Sequence, residues 1–202
     1  MLASAQLEEV LQAVGDLLEA QDEEVGIVVV GGASLNLMGL VLRTTNDVDI
    51  IATVHPGAAG RDIQLHPPPQ PLPDPLQRAI DTVARDFGLP ADWMNTEIAA
   101  QWTQGLPPWL AEDLTWRQYG GLEVGLAGRR TLIALKLFAA VDRGPRSVHY
   151  QDLVALGPVL DEFREAAAWV RTQDAAAEFS EMVDQVVDHV QRDTRDDDRG
   201  DR

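Results

Sequence analysis

Apolar residues recur every three or four positions in several segments of the chain, which is the spacing of one buried face of a helix. Residues 5–20 are the first such segment, and residues 75–87 form another that ends at Gly88 and Pro90. The same pattern predicts helices at 130–141, near 150–156, at 160–170 and at 175–190. The C-terminal part of the chain is therefore predicted to be helical.

Short apolar runs without polar alternation predict strands that are buried on both faces. Val25–Val30 is such a run, and it stops at Gly31–Gly32 before the helical spacing of Ala33–Leu42 begins. The two glycines therefore lie where a strand passes into a helix. A second apolar run starts within Asp47–Asp49. Residues 115–126, interrupted by a pair of glycines, predict a two-stranded hairpin that extends the same sheet.

Asp47 and Asp49 point to the same side of the predicted second strand, because side chains alternate along a strand and Val48 faces the other way. Two carboxylates that share a site repel each other unless a cation lies between them. In phosphoryl chemistry, Mg²⁺ is held by one or two carboxylates together with substrate phosphates. The acidic pair is therefore predicted to hold one or two Mg²⁺ ions. A solvated strand start is the alternative.

Gly31 and Gly32 lack a Cβ atom, so their backbone can approach a ligand closely, and the free N–H groups of the following helix end favour phosphate. Ser34 adds a hydroxyl donor in the first turn. A plain tight connection without a ligand is the alternative. The order of strand, glycine pair, helix and acidic strand favours the functional interpretation, in which phosphate and metal meet in one cleft.

Two blocks of the sequence resemble one superfamily. The first consists of GGAS at 31–34 followed by RTTNDVD at 43–49, and the second runs from LKL at 135–137 to QDL at 151–153. They are similar to the core of the DNA polymerase β-type nucleotidyltransferases, and in particular to small bacterial domains related to the AbiEii toxins of toxin–antitoxin and phage-defence systems. The resemblance covers most of residues 22–157.

The resemblance implies an α/β (α+β) fold, with a nucleotidyltransferase-type mixed β-sheet packed with helices and a C-terminal helical segment. It also implies metal-dependent transfer of a nucleotide from a nucleoside triphosphate to a hydroxyl of RNA, such as tRNA, or of a protein. The triphosphate would then be held by Gly31, Gly32, Ser34 and Arg43, and the metal by Asp47 and Asp49. An antitoxin protein would be a partner.

Lys136 and Asp152 complete the predicted catalytic set. In the related toxins, a lysine on the first of these helices faces the nucleotide phosphates, and a carboxylate on the next helix completes the acidic group. Lys136 could instead extend from a buried helix to solvent, and Asp152 could be a structural ion-pair partner of Arg143 or Lys136. The sequence departs from its relatives at Val148-His149, where a basic–acidic pair is common.

The domain organisation follows from these segments. Residues 1–157 are predicted to form the nucleotidyltransferase-like domain, and 158–191 are predicted to form helices packed on it. Residues 55–74 contain many prolines and predict a mobile loop near the site. Residues 192–202 contain no apolar residue and predict a disordered tail.

Charge and composition exclude several classes of protein. The net charge of −17 argues against duplex DNA binding, although five cations lie between residues 129 and 149 against one anion. The chain has no cysteine, which excludes disulfides and cysteine-ligated zinc. It has no long apolar run and no signal-like N-terminus, so we expect a cytoplasmic protein that does not enter a membrane.

Two other functions compete with a transferase. The chain could keep a nucleotidyltransferase fold for binding a nucleotide or a partner without turnover, since its third carboxylate is uncertain. VVVGGASLNLMG at 28–39 could also be a dinucleotide-binding turn. The Gly-x-Gly-x-x-Gly spacing of such turns is absent, which argues against NAD.

Overall fold

A computed structural model describes residues 1–57 and 63–200, with side chains up to residue 195. In chain order, its elements are α1 (Ser4–Glu19), β1 (Val25–Val30), α2 (Gly31–Leu37), β2 (Val48–Val54), α3 (Asp74–Phe87), β3 (Met94–Asn95), a 3₁₀ helix (Glu97–Thr103), β4 (Leu114–Tyr119), β5 (Leu122–Ala127), α4 (Arg129–Arg143), α5 (Val148–Leu156), α6 (Leu160–Val170) and α7 (Ala177–Gly200).

The chain divides into two compact units, Met1–Gly128 and Arg129–Arg202. The division differs from the boundary predicted at residue 157, because α4 and α5 belong to the second unit. Within that unit, Phe138 of α4 lies edge to face with two rings, Trp169 at 6.2 Å and Phe179 at 6.3 Å. The aromatic contacts between α4, α6 and α7 give the second unit its own core.

A five-stranded mixed sheet with the order β3-β2-β1-β5-β4 forms the first unit. β1 is antiparallel to β2 and parallel to β5. β4 and β5 form the predicted hairpin, with Tyr119 opposite Leu122. Residues 27–30 of β1 are at most 1% exposed, which confirms the prediction of a strand buried on both faces. The predicted mixed sheet with a C-terminal helical segment is likewise confirmed.

α1 and α3 bury their apolar faces in the same cluster as β1 and β2. The cluster includes Leu7, Leu11 and Val14 of α1, Leu76, Ile80 and Val83 of α3, and Ile27, Val29, Val48 and Ile50 of the sheet. Each fully buried Leu or Ile stabilises the fold by about 1.5–3 kcal/mol relative to exposure. This packing fixes the start of β2, where the acidic pair lies.

α2 ends at Leu37, whereas the apolar spacing predicts a helix as far as Leu42. Gly39 has a φ of +67°, which takes the backbone out of the helical region. Leu42 is 98% exposed, so it does not belong to a buried helical face. The side chain of Asn36 instead donates a hydrogen bond to the carbonyl of Arg43 and folds the segment back. Residues 38–47 therefore form a loop.

The proline-rich segment follows β2. Part of it, residues 58–62, lies outside the described residues, so the predicted mobility of 55–74 remains a prediction. In the described part, His66 forms an antiparallel bridge with Thr53, through N···O distances of 2.9 Å in both directions. The rings of His55 and His66 lie 5.7 Å apart in an edge-to-face arrangement. α3 starts at Asp74, as the prolines predict.

α7 continues through residues 192–200, where the sequence predicts disorder. Its apolar residues nucleate the helix, and propagation then requires only one further hydrogen bond per residue. Tyr150 of α5 donates a 2.6 Å hydrogen bond to Asp193, which anchors this part of α7. Among the described residues, no helix combines the length and the apolar character needed to cross a bilayer.

Candidate active site

The C-terminal end of β1 brings the glycine pair next to the acidic strand. Val30, the last residue of β1, is paired with Asp49 across the antiparallel β1–β2 ladder. Gly31 follows with a φ of +69°, a left-handed conformation that favours glycine. A Cβ atom at Gly31 would overlap Oδ2 of Asp49. Glycine is therefore required here both for the turn and for the position of the carboxylate.

Gly32 lies against the loop that precedes β2. A Cβ atom at Gly32 would lie 2.5 Å from Oγ1 of Thr45 and 3.0 Å from Nη2 of Arg43. Thr45 is buried, and its hydroxyl lies 3.3 Å from the carbonyl oxygen of Asp47 and 3.4 Å from Oδ1 of the same residue. The structure thus brings the glycine turn together with Arg43 and the residues before β2.

Asp47 and Asp49 flank Val48 at the start of β2. Val48 is fully buried, whereas both aspartates are half-buried, as expected for side chains that alternate along a strand. Oxygen donors of this kind fit Mg²⁺, which takes one or two carboxylates and completes its shell with phosphates and water. Among the described residues, no group of three or more Asp, Glu or His side chains is arranged to hold a metal ion by itself.

The loop before β2 is held by the N-terminal residues, a contact that sequence reasoning missed. Leu2 is 1% exposed and forms an antiparallel bridge with Thr45, with Leu2 N–H donating at 2.6 Å and Thr45 N–H donating at 2.9 Å. The R-x-T-x-D-x-D pattern contains Thr45 but gives it no role. Nothing in the sequence pattern points to Leu2, because the pairing joins residues far apart in the chain.

Ser34 makes a hydrogen bond within the fold, and its role toward a triphosphate stays a prediction. Its side chain is fully buried, and Oγ donates a 2.7 Å hydrogen bond to the carbonyl of Ala127 on β5. The hydroxyl therefore links α2 to the sheet. The sequence places Ser34 in the predicted turn, and the burial of residues 32–37 of α2 accompanies a hydroxyl that is directed into the fold.

Asn95 of β3 lies beside Asp49 in the parallel β2–β3 register. Residues paired in this way project to the same side of the sheet. The Asn95 side-chain oxygen accepts a 3.0 Å hydrogen bond from the backbone N–H of Glu97, and Glu97 itself is exposed on the 3₁₀ helix. An amide, which does not accept a proton at neutral pH, thus lies beside the acidic pair. Sequence reasoning missed Asn95.

Lys136 and Asp152 form an ion pair within the second unit. Nζ of Lys136 on α4 lies 2.7 Å from Oδ2 of Asp152 on α5, and the two side chains are 6% and 1% exposed. A buried charge needs a partner, and each of these side chains supplies one to the other. The contact agrees with the ion-pair alternative for Asp152, with Lys136 as its partner in this pair.

The fold and this site define a class of protein with a Gly-Gly turn and an Asp-x-Asp strand at one end of a mixed sheet. Residues 5–62 match a family model, DUF6036, described as a nucleotidyltransferase of unknown function. The matched segment contains the glycine pair, Arg43 and both aspartates, and it supports a nucleotidyltransferase-like domain. No curated protein and no solved structure gives a significant match. The relation to AbiEii toxins stays a prediction.

Proposed function

We propose that the chain is a metal-dependent nucleotidyltransferase that transfers a nucleotide from a nucleoside triphosphate to a hydroxyl group. The observation that carries this proposal is the position of Asp49 at the Gly31 turn, with Arg43 beside Gly32. These residues fall within the segment that matches the nucleotidyltransferase family model. The guanidinium of Arg43 and the backbone of the glycine turn suit the phosphates, and the carboxylate of Asp49 suits the Mg²⁺ that accompanies them.

In the first unit, one set of residues would contact the phosphates and another would hold the metal. The backbone at Gly31 and Gly32 can approach the β- and γ-phosphates, and the Arg43 guanidinium supplies positive charge. Asp47 and Asp49 would hold Mg²⁺, which when bound neutralises charge on the triphosphate and on the leaving pyrophosphate. The acceptor oxygen would bond to the α-phosphorus as the bond to pyrophosphate breaks, and its proton would pass to water.

Lys136 and Asp152 receive no catalytic part in this proposal, because each already neutralises the other inside the second unit. Ser34 also receives none, because its hydroxyl donates to Ala127. A role as the toxin of a toxin–antitoxin pair is carried by the sequence resemblance alone, and the geometry of the site does not choose between an RNA and a protein acceptor. Both questions are tested separately from the transfer itself.

Transfer of label from each of the four α-³²P nucleoside triphosphates, in the presence of Mg²⁺, onto lysate RNA and lysate protein tests this function. Asp49→Asn keeps the size of the side chain and removes the charge, so we expect it to abolish transfer while the chain stays folded. Asp86→Asn is the matched control, because Asp86 is exposed on α3. Substantial turnover by Asp49→Asn would refute the assignment.

A nucleotide-binding module without turnover is the second candidate. It is favoured by Asn95, which places an amide and not a third carboxylate beside Asp49. In that case, the wild-type chain would bind a triphosphate with Mg²⁺ and move no label to any acceptor. Stabilisation of the chain by NAD, with none by triphosphates, would instead contradict both functions.

A further inference from the structure

The outer edge of β2 has unusual hydrogen-bond partners. β3 is only two residues long and pairs with Val48 and Asp49. Farther along the same strand, Thr53 pairs with the isolated residue His66. Between these two points, the indole Nε1 of Trp102 donates a 2.5 Å hydrogen bond to the carbonyl of Ile51. A side chain of the 3₁₀ helix thus takes the place of a strand partner.

Ile51 is also the point at which the register of β2 shifts. Along β1, Val28 pairs with Ala52 and the next residue, Val29, pairs with Ile50, so Ile51 is an extra residue in β2. A bulge of this kind bends a strand and re-aims side chains next to it. Asp49 lies two residues from the bulge, so its direction depends on how the bulge is held.

The carbonyl of Ile51 needs its partner because water does not reach it. Ile51 is fully buried, and an unsatisfied buried carbonyl costs about 1–3 kcal/mol. Loss of the indole N–H would favour any rearrangement that satisfies this carbonyl, including a change in the register of β2. A shift of one residue would turn Asp49 to the opposite face of the sheet.

We propose that Trp102 is a positioning residue for Asp49, acting through its hydrogen bond to the bulge at Ile51. The inference rests on the proposed metal-dependent function, since it assigns to Trp102 the task of holding a metal-binding carboxylate in place. The indole needs no contact with substrate or metal for this task. Its effect on the site passes through two residues of β2, Ile51 and Ile50.

Trp102→Phe tests this role, because it keeps an aromatic ring and removes the indole donor, and the control below carries the same loss of side-chain volume. Trp93→Phe is the control: Trp93 is buried whereas Trp102 is half-buried, and the Nε1 of Trp93 likewise donates to a backbone carbonyl, that of Ile80 on α3, at 3.3 Å. Both variants remove one indole hydrogen bond from the first unit. Only Trp102→Phe removes it from the strand that carries Asp49.

Two measurements are made on the full chain. Electron paramagnetic resonance with Mn²⁺ as the probe measures metal affinity, and NMR hydrogen exchange measures the protection of the Asp49 and Ile50 amides. We expect Trp102→Phe to weaken Mn²⁺ binding about tenfold, the usual effect of removing a residue that orients a metal ligand. Its Asp49 and Ile50 amides should exchange faster, and Trp93→Phe should leave both measurements at the wild-type level.

The outcomes separate this inference from the proposed function. Equal amide exchange at Asp49 in the wild type and in Trp102→Phe would overturn the inference. Equal loss of Mn²⁺ affinity in Trp102→Phe and Trp93→Phe would also overturn it, because the effect would then be general destabilisation. Absence of Mn²⁺ binding by the wild type would overturn the metal-dependent function. Even in that case, faster amide exchange confined to Trp102→Phe would support the role of the Trp102 hydrogen bond in holding β2 in place.

Discussion

Gly31 is constrained by its backbone and by its neighbour at the same time. Its φ of +69° costs an L-residue about 1–2 kcal/mol, and a Cβ atom there would overlap Oδ2 of Asp49. We expect Gly31→Ala to lower the free energy of unfolding by more than the backbone cost and to weaken Mg²⁺-dependent ATP binding, because Asp49 must move. Urea unfolding and titration calorimetry measure the two effects.

Gly39→Ala is the matched control for this prediction. Gly39 has nearly the same φ, +67°, but a Cβ atom there would have no neighbour within 4 Å. The variant therefore carries the backbone cost of about 1–2 kcal/mol without the clash, and ATP binding should be retained. Equal loss of ATP binding in the two variants would show that the contact between Gly31 and Asp49 has no special importance.

A second prediction at the scale of residues concerns the buried ion pair of Lys136 and Asp152. Asp152→Asn leaves the Lys136 ammonium buried without a charged partner, which typically costs about 3–5 kcal/mol. We expect a loss of this size in the free energy of unfolding, measured by urea denaturation. The double variant Lys136→Met/Asp152→Leu should recover most of it, because apolar side chains of similar size replace a buried ion pair well.

The double variant also separates a structural role from a catalytic one. If Lys136 and Asp152 act only as an ion pair, the double variant recovers both stability and nucleotide transfer. Recovery of stability with complete loss of transfer would contradict the structural role and return both residues to the catalytic set. Asp161→Asn, which changes an exposed carboxylate on α6 that pairs with Arg164, is the control for charge alone.

At the scale of elements, α1, α2 and β4 are joined by one polar network. The Tyr119 hydroxyl donates a 2.5 Å hydrogen bond to Glu8, while Arg117 pairs with Glu8 and donates at 2.5 Å to the carbonyl of Leu37 at the end of α2. Burial and the hydrogen bond to Glu8 raise the pKa of Tyr119 to about 12. The network fixes the helix that follows the glycine turn.

The raised pKa predicts how stability depends on alkaline pH. The folded state holds the Tyr119 proton more tightly than the unfolded state, whose tyrosine pKa is about 10. This stabilisation is complete below pH 10 and is lost as the pH rises from about 10 to about 12. Urea unfolding across this interval should give a steeper loss of stability in the wild type than in Tyr119→Phe.

Tyr150 serves as the internal reference for that experiment. Burial and its hydrogen bond to Asp193 also raise the pKa of Tyr150, so it contributes to the alkaline slope of both chains. The difference between wild type and Tyr119→Phe therefore isolates Tyr119. Identical slopes in the two chains would contradict a network in which the Tyr119 hydroxyl must stay protonated.

Sequence patterns predict those elements whose apolar residues follow a helical period or form a continuous buried run. The helices α1, α3 and α4 follow from the helical spacing, β1 from its apolar run, and the hairpin of β4 and β5 from the pair of glycines between two strand-like segments. α2 is shorter than its pattern, because Gly39 and the hydrogen bond from Asn36 end the helix. The bulge at Ile51 leaves no trace in the sequence, because it depends on partners in β1 and the 3₁₀ helix.

Some residues of the candidate site are predictable from the sequence, and others are not. Gly31, Gly32, Arg43 and Asp49 are recognised by motif and lie together, since they come from one turn and the strand paired with it. Ser34 belongs to the same motif, but the direction of its hydroxyl is set by Ala127, far away in the chain. Asn95 and Leu2 have no local signal at all, because only sheet pairing brings them to the site.

At the scale of the whole molecule, charge favours one class of acceptor. The chain carries a net charge of −17, and residues 1–128 contain 18 Asp and Glu against five Arg and no Lys. Polynucleotide binding draws on Lys and Arg that displace counterions from phosphates. An acidic first unit repels RNA and attracts basic polypeptide surfaces. A protein hydroxyl is therefore the acceptor that the charge distribution favours.

We accordingly expect label from an α-³²P nucleoside triphosphate to appear in the protein fraction of a lysate, where protease removes it and ribonuclease does not. The reaction should weaken as salt increases, because attraction between an acidic enzyme and a basic acceptor is screened with a Debye length of about 10 Å at 0.1 M salt. The Asp49→Asn chain serves as the blank at each salt concentration. Label that is sensitive to ribonuclease would contradict the charge argument and make an RNA end the acceptor, while leaving the transferase itself intact.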